Sequence, residues 1–471
     1  MIDKFINRKD ELEVLEERFK SNKPEFIVIY GRRRVGKTEL IKNFAKDKLN
    51  IYFLSDKRSD KEQLREIARK IGEFFNDDIL ITRGFEDWVQ MFKYLKDKIK
   101  ERIIFTIDEF PYLIAANKAI PSLFQKGWDE YLRETKIFLI LCGSSIGMME
   151  RGVLSYKSPL YGRRTGQLFL DSLKFIDAQK FFTRYKLEQN IEAFAILGGI
   201  PAYLKQFDDS YSIEENIKKN ILRKDSFLFN EPEFLLREEL KEPKTYFSIL
   251  KVISFGKTKL NEIATSLNME RNKVSMYLSV LENLKLIDRI LPVTEKHPHK
   301  SRKGLYLIKD NFMRFWLRFV YPYKSELEMG ELDNVLKNKI RPFFGQHVSF
   351  VFEDICKEFL VELNKRKRLP FSFEKIGKWW HKDKEIDLVA LSSDTRQIAF
   401  FEVKWSELGL IDAKKLLEEL KDKSKFVKWL NEKRREYFGL ITKRIKNKEK
   451  LKRKGYLVFD LRDFTPVTPR I

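Results

Sequence analysis

Apolar positions along this chain switch between two periods, and the switching sets out its elements. Residues 26–30 (FIVIY), 102–107 (RIIFTI) and 136–141 (KIFLIL) are short runs rich in β-branched and aromatic side chains, and each predicts a buried strand. Residues 39–44 (ELIKNF) instead place apolar side chains at helical spacing. That spacing returns at 246–253, 259–267 and 272–284, with a tight turn at 268–271 between the last two. A short run at 286–289 follows, then a loop at 295–303 carrying Lys296, His297, His299, Lys300, Arg302 and Lys303. Two short helices around a turn, then this run and basic loop, is the order of a winged helix-turn-helix. Further on, residues 350–355 read as helix, residues 377–391 as one strand with an acidic residue at its start, and residues 398–405 as another strand. The longest apolar run, 137–142, is far too short to cross a bilayer. Residues 1–5 (MIDKF) lack the apolar core of a signal peptide.

The first run opens directly into Gly31-Arg32-Arg33-Arg34-Val35-Gly36-Lys37-Thr38, which is G-x-x-x-x-G-K-[ST] set between a strand and a helix. The glycines let the backbone curl so that successive N–H groups face a phosphate chain at a helix N-terminus. Lys37 would reach the β- and γ-phosphates of ATP and the Thr38 hydroxyl would ligate Mg²⁺. The second run ends in Asp108-Glu109. Asp108 can hold the magnesium through water and Glu109 can polarise the attacking water, although an acidic pair after a strand also suits a helix start. The third run ends at Gly143-Ser144-Ser145, where a serine serves either as a γ-phosphate sensor or as a helix cap. Arg163 or Arg164 reads as an arginine finger, within the chain or toward a neighbouring subunit, or as solvated surface.

In a strand, positions i and i+2 share a face, so Glu402 and Lys404 point the same way. With Asp387 from a neighbouring strand they form a hydrolytic metal site: Asp387 and Glu402 bind Mg²⁺ while Lys404 orients or activates water. Glu353 would add a further acid. The plain alternative is a Glu–Lys pair on a surface strand. His297-Pro298-His299 has no partner cysteine or acidic cluster nearby and reads as loop.

Composition changes this picture in two ways. The chain of 471 residues carries 93 lysines and arginines against 70 acids, a formal net charge of +23. A Lys- and Glu-rich thermophile-like composition multiplies charges of both signs without creating such an excess, so a polyanionic partner, DNA, is expected. Much of the excess lies at Lys414, Lys415, Lys421, Lys423, Lys425, Lys428, Arg434, Arg435, Lys443 and Arg444 and from 446 to 454, interleaved with Trp429, Tyr437, Phe438 and Tyr456. The only two cysteines, Cys142 and Cys356, support neither a disulfide framework nor a zinc site, and point to a reducing, cytoplasmic setting without membrane contact.

These motifs together resemble the archaeal ATPases of the STAND/AAA-like P-loop branch, over about residues 1–230. The resemblance rests on residues 5–12 (FINRKDEL), the P-loop, Ile107-Asp108-Glu109-Phe110, Gly143-Ser144-Ser145, residues 159–163 (PLYGR) and residues 198–204 (GGIPAYL). It implies that Asn7, Arg8 and Pro201 border the adenine. Phe352-Glu353, residues 377–380 (GKWW), Glu385-Ile386-Asp387 and residues 401–404 (FEVK) resemble the PD-(D/E)xK nuclease-like superfamily, and the C-terminal domain of unknown function that follows the ATPase in that archaeal family. The expected architecture is therefore α/β: a P-loop NTPase parallel sheet (1–170) with a helical lid (171–240), a winged helix-turn-helix (241–325) and a C-terminal restriction-endonuclease-like α/β domain (335–471). Two functions fit: a Mg²⁺-dependent ATPase acting on or regulated by DNA, with a C-terminal nuclease centre, or an ATP-driven switch, able to assemble as a homo-oligomer, whose C-terminal domain binds without cutting.

Overall fold

A computed structural model describes residues 5–240 and 242–464; the first four residues of the N-terminal segment weighed as a leader lie outside them. The chain forms two compact units, Met1–Ser172 with Ile200–Ala202, and Leu173–Gly199 with Tyr203–Ile471.

The first unit is built on a five-stranded, wholly parallel sheet of β1 (Glu25–Tyr30), β2 (Asn50–Leu54), β3 (Ile103–Asp108), β4 (Ile137–Gly143) and β5 (Gly166–Phe169), in the order β2-β3-β4-β1-β5. The three runs read from the sequence are its centre, β3-β4-β1. Side chains alternate between two apolar layers, with Val28, Phe105 and Leu139 on one face and Ile27, Ile104 and Ile140 on the other. Both faces are thus covered, which is why these strands read as continuous apolar runs. The register pairs Tyr30 with Gly143 and Ile107 with Leu141, so the C-terminal ends of β1, β3 and β4 lie along one edge. In parallel α/β sheets that edge is where ligands bind.

In the second unit, helices Pro243–Ser254, Leu260–Ser266 and Arg271–Asn283 precede an antiparallel pair, β6 (Ile287–Ile290) and β7 (Leu305–Ile308). Asn268, in the tight turn, takes a left-handed φ of 48°, a conformation asparagine tolerates better than most residues. A 25-residue helix, Arg341–Lys365, then leads into a second sheet. Its strands β8 (Lys375–His381), β9 (Lys384–Ser392), β10 (Gln397–Leu408), β11 (Arg435–Ile445) and β12 (Leu457–Asp460) stand in the order β12-β11-β10-β9-β8. The first three form an antiparallel meander, and β11 and β12 run parallel to β10. Helix Leu410–Ser424 joins β10 to β11. Val351, Phe352 and Ile355 of the long helix share a core with Ala399, Phe401 and Val403 of β10.

One expectation is corrected. Residues 377–391 are two strands, because Lys382 adopts φ 54° and turns the chain between His381 and Lys384. The polar tetrad His381-Lys382-Asp383-Lys384 could not continue a buried strand. Both cysteines are buried and free. No helix among the described residues is long and apolar enough to cross a membrane.

His347 of the long helix is fully buried, with Nε2 placed 2.8 Å from the Ala195 carbonyl. Burial holds its pKa down at about 3, against an ordinary 6.5. The unfolded chain therefore binds a proton between these values that the folded chain refuses, so stability falls as pH drops from 6.5 toward 3, by up to ~1.4 kcal/mol per pH unit. Glu192 and Glu358, raised to about 7 by burial, act in the opposite sense between 4.5 and 7. Comparing wild type with His347→Leu isolates the histidine. The variant should start less stable at pH 7 and show a flatter acid limb in urea titrations; an unchanged limb would refute this.

Candidate functional site

The loop between β1 and helix Lys37–Ala45 is shaped by its backbone. Arg34 and Gly36 take left-handed φ values of 68° and 94°, the kind of conformation from which anion-binding nests of backbone amides are built. At Gly31 an added Cβ would stand 2.2 Å from the Leu170 carbonyl oxygen, so no larger residue fits. Lys37 is buried, and its amine donates to the carbonyls of Gly31 (3.0 Å) and Arg32 (2.8 Å). Burial draws the Lys37 pKa below its ordinary value, against the pull of Glu109 and Asp108. Val35, between these residues, is buried in the core under the loop, and Arg33 reaches the Tyr112 hydroxyl at 3.3 Å.

Asp108, at the end of β3, is the hub of the site. Its Oδ2 accepts from the Thr38 hydroxyl at 2.8 Å and from the Tyr52 hydroxyl at 2.6 Å. Burial first, and then the bond to Asp108, push the Tyr52 pKa well up, so the phenol stays protonated and donating. Glu109 takes a left-handed φ of 53°, costly for a non-glycine residue and of the kind that clusters at functional sites. Its carboxylate accepts from the Ser144 hydroxyl and from the Ser144 amide at 3.2 Å. Of the two roles open to Ser144, the geometry brings it to the acid beside the phosphate loop rather than to a helix end. An amine, a hydroxyl, a carboxylate and backbone amides are the donor set that a magnesium-bound triphosphate needs.

Asn7 and Arg8 are consecutive left-handed residues, φ 58° and 73°. The Arg8 guanidinium donates to the carbonyls of Val35 (2.9 Å) and Asp171 (2.7 Å), tying the phosphate loop to the end of the sheet. Pro201 lies against the loop, its Cγ 3.9 Å from where a Cβ on Gly36 would stand. Arg163 pairs with Asp129 at 3.1 Å, while Arg164 lies over the Tyr161 ring.

Sequence reasoning missed Tyr52, whose only trace is its place in the apolar stretch 51–54. Tyr52→Phe should leave Asp108 with one donor fewer and raise the Mg²⁺ concentration for half-maximal ATP turnover several-fold, read from turnover against Mg²⁺. An unchanged Mg²⁺ dependence would remove Tyr52 from the site.

The second unit brings the C-terminal trio together. Lys404 Nζ lies 2.8 Å from Glu402 Oε1 and 3.7 Å from Asp387 Oδ2. Asp387 Oδ2 also accepts from the Val403 amide at 2.8 Å, which fixes β9 against β10 beyond their paired residues. Burial, then the Glu402 charge, raise the Asp387 pKa, while burial of Lys404 is outweighed by Asp387 and Glu402. Two lysines that sequence reasoning did not place in the cluster complete it. Lys423, from helix Leu410–Ser424, reaches Glu402 at 3.1 Å, and Lys378 pairs with Glu353. Burial raises the Glu353 pKa to about 7. Among the described residues no three acids, histidines or cysteines stand ready around a metal position.

Two family models match the chain. Residues 5–207 match the family model described as an ATPase domain predominantly from Archaea, and residues 316–416 match one described as archaeal and bacterial proteins of unknown function. An uncharacterized protein of Methanocaldococcus jannaschii is 42% identical over 98% of this chain and 100% of its own length. An uncharacterized ATP-binding protein of the same organism is 59% identical over 44 residues, 9% of this chain and 75% of that protein. Among solved structures, the Walker-type ATPase of Pyrococcus abyssi aligns with a TM-score of 0.49 and 20% identity, over 67% of this chain and 96% of that one.

Proposed function

The chain belongs to the archaeal family that joins this ATP-binding ATPase domain to a C-terminal domain of unknown function, and from that premise we propose a Mg²⁺-dependent ATPase that acts on DNA in the cytoplasm and carries a nuclease centre at Asp387, Glu402 and Lys404. In the ATPase, Lys37 and the amides from Gly31 to Thr38 hold the triphosphate, while Thr38 and Asp108 hold magnesium. The ion supplies charge neutralisation at the phosphates. Glu109 polarises the attacking water, with Ser144 fixing its carboxylate. Arg163 is the finger, released from Asp129 when it engages the nucleotide. Asn7, Arg8 and Pro201 border the adenine, with Arg8 setting the loop through Val35. Ile200–Ala202 is flanked in the chain by second-unit residues yet belongs to the first unit, beside Gly36. This connection supports coupling of nucleotide state to the second unit, in one chain or between copies of a homo-oligomer.

The DNA reading is supported by the net charge of +23 and by the three helices and strand pair at 243–308, in winged-helix order. The nuclease reading is carried by one observation, the convergence of Asp387, Glu402 and Lys404 on neighbouring strands. Asp387 and Glu402 supply oxygen donors of the type magnesium takes, and Lys404 would orient the attacking water.

A second reading also has a specific observation behind it. Glu402 is held by two lysines and Glu353 by a third, so the cluster is balanced without an ion. Such a site would hold a phosphate backbone without cutting it, and the ATPase would then work as a switch. Incubating the protein with single- and double-stranded DNA and Mg²⁺ or Mn²⁺, with and without ATP, separates the two. Cleavage establishes the nuclease and shows whether ATP gates it. Retention of DNA without cleavage establishes the switch, and neither retention nor cleavage refutes the DNA reading.

A further inference from the structure

We infer that the second unit carries a separate site for a small phosphate-bearing anion, in the cleft between helices Asn311–Phe319 and Arg341–Lys365 and the end of helix Pro243–Ser254. The cleft has a volume of about 290 Å³. Arg314 and Arg318 stand one turn apart on the first helix and both line it. Gln346 and Phe350 face them from the long helix, and Ser254 and Thr258 add hydroxyls. No aspartate or glutamate is among its lining residues, in a chain that has 70 of them.

Two guanidiniums one turn apart repel each other, and neighbouring acids normally relieve this. Here the wall offers only neutral acceptors. Arg314 donates to the Ile308 carbonyl and lies 4.1 Å from the centre of the Phe350 ring. Its Nη1 is sealed from solvent and makes no hydrogen bond. Arg318 donates to the Gln346 side-chain oxygen at 2.5 Å. Burial pulls the Arg314 pKa down to about 10 even against Asp354, Asp310 and Glu353, and burial lowers Arg318 as well.

A wall that carries two guanidiniums and no carboxylate fits a compact dianion. Phosphate matches the guanidinium fork bidentately and carries the charge that two arginines neutralise. Phe350 and Phe255 give the cleft an apolar side, suited to a small organic body on the phosphate. The cleft volume admits inorganic phosphate or a phosphorylated sugar.

Isothermal titration of the full chain with inorganic phosphate and with ribose 5-phosphate tests the site. Phosphate also suits the Gly31–Thr38 loop, so the titrations include Lys37→Ala to remove that contribution. Binding should persist in Lys37→Ala and weaken at least tenfold in Arg318→Gln, which leaves the Arg314 contacts in place. Gln346→Glu puts a carboxylate against Arg318; it should abolish binding and raise the melting temperature in the absence of phosphate. Tighter binding of ribose 5-phosphate assigns the site to phosphomonoesters, and equal affinities assign it to the free ion. Absence of binding in Lys37→Ala, or unaltered affinity in both cleft variants, overturns the inference.

Discussion

Lys37→Ala should lower ATP turnover by about 10²–10³-fold, the cost of removing one preorganised charge from a phosphoryl-transfer site, while the protein stays folded. The amine is held by the carbonyls of Gly31 and Arg32, inside the curve of the loop where the phosphates would lie. Burial also lowers its pKa, so the ammonium is poorly solvated and gains from a phosphate partner. Little of the fold depends on it. The layer beneath the loop is made by Ile27, Ile29, Val35, Leu40 and Ile41, which the substitution leaves alone. The expected melting temperature is within a few degrees of wild type, since two hydrogen bonds contribute about 1 kcal/mol each. Turnover measured by phosphate release, beside a thermal melt of the same preparation, separates lost chemistry from lost fold. A folded Lys37→Ala protein with wild-type turnover would refute the role given to the loop.

Much of the first unit was legible because its central strands are buried on both faces, so β1, β3 and β4 read as unbroken apolar runs. The edge strands were not. β2 is a short apolar stretch in which exposed and buried positions alternate, and β5 is only partly buried, so neither stands out as a buried strand. The Gly31–Thr38 loop could be placed between its strand and helix because its motif is local in sequence. Tyr52 carries no signal of its own and Ser144 was open to two roles, because each meets an acid that the parallel sheet brings to it. In the second unit the Glu402–Lys404 pair follows from strand alternation alone. Lys423 does not, since it depends on how helix Leu410–Ser424 lies against β10. The hairpin at Lys382 was missed because the residues on either side are both strand-like, and only a short polar stretch marks the turn.

Lys404 and Lys423 give the sharpest division of labour in the C-terminal cluster. Asp387→Ala and Lys404→Ala should each reduce metal-dependent DNA cleavage by at least about 10²-fold, since one removes an ion ligand and the other the charge that orients water. Lys423→Ala should do the reverse. Lys423 contacts only Glu402 within the trio, at 3.1 Å, and Lys404 still holds Glu402 at 2.8 Å after its removal. Without Lys423, one competitor for the carboxylate is gone, and an ion should bind at a lower concentration. Cleavage would then reach half its maximum at less Mg²⁺ or Mn²⁺ than wild type needs. The comparison also exposes the alternative, because a phosphate-holding cluster needs every lysine it has. In that case Lys423→Ala and Lys404→Ala would weaken DNA retention alike, and Asp387→Ala, which frees a lysine from an acid, would strengthen it. Opposite responses of the two lysine variants identify a metal-dependent nuclease; parallel losses, with a gain at Asp387, identify a clamp.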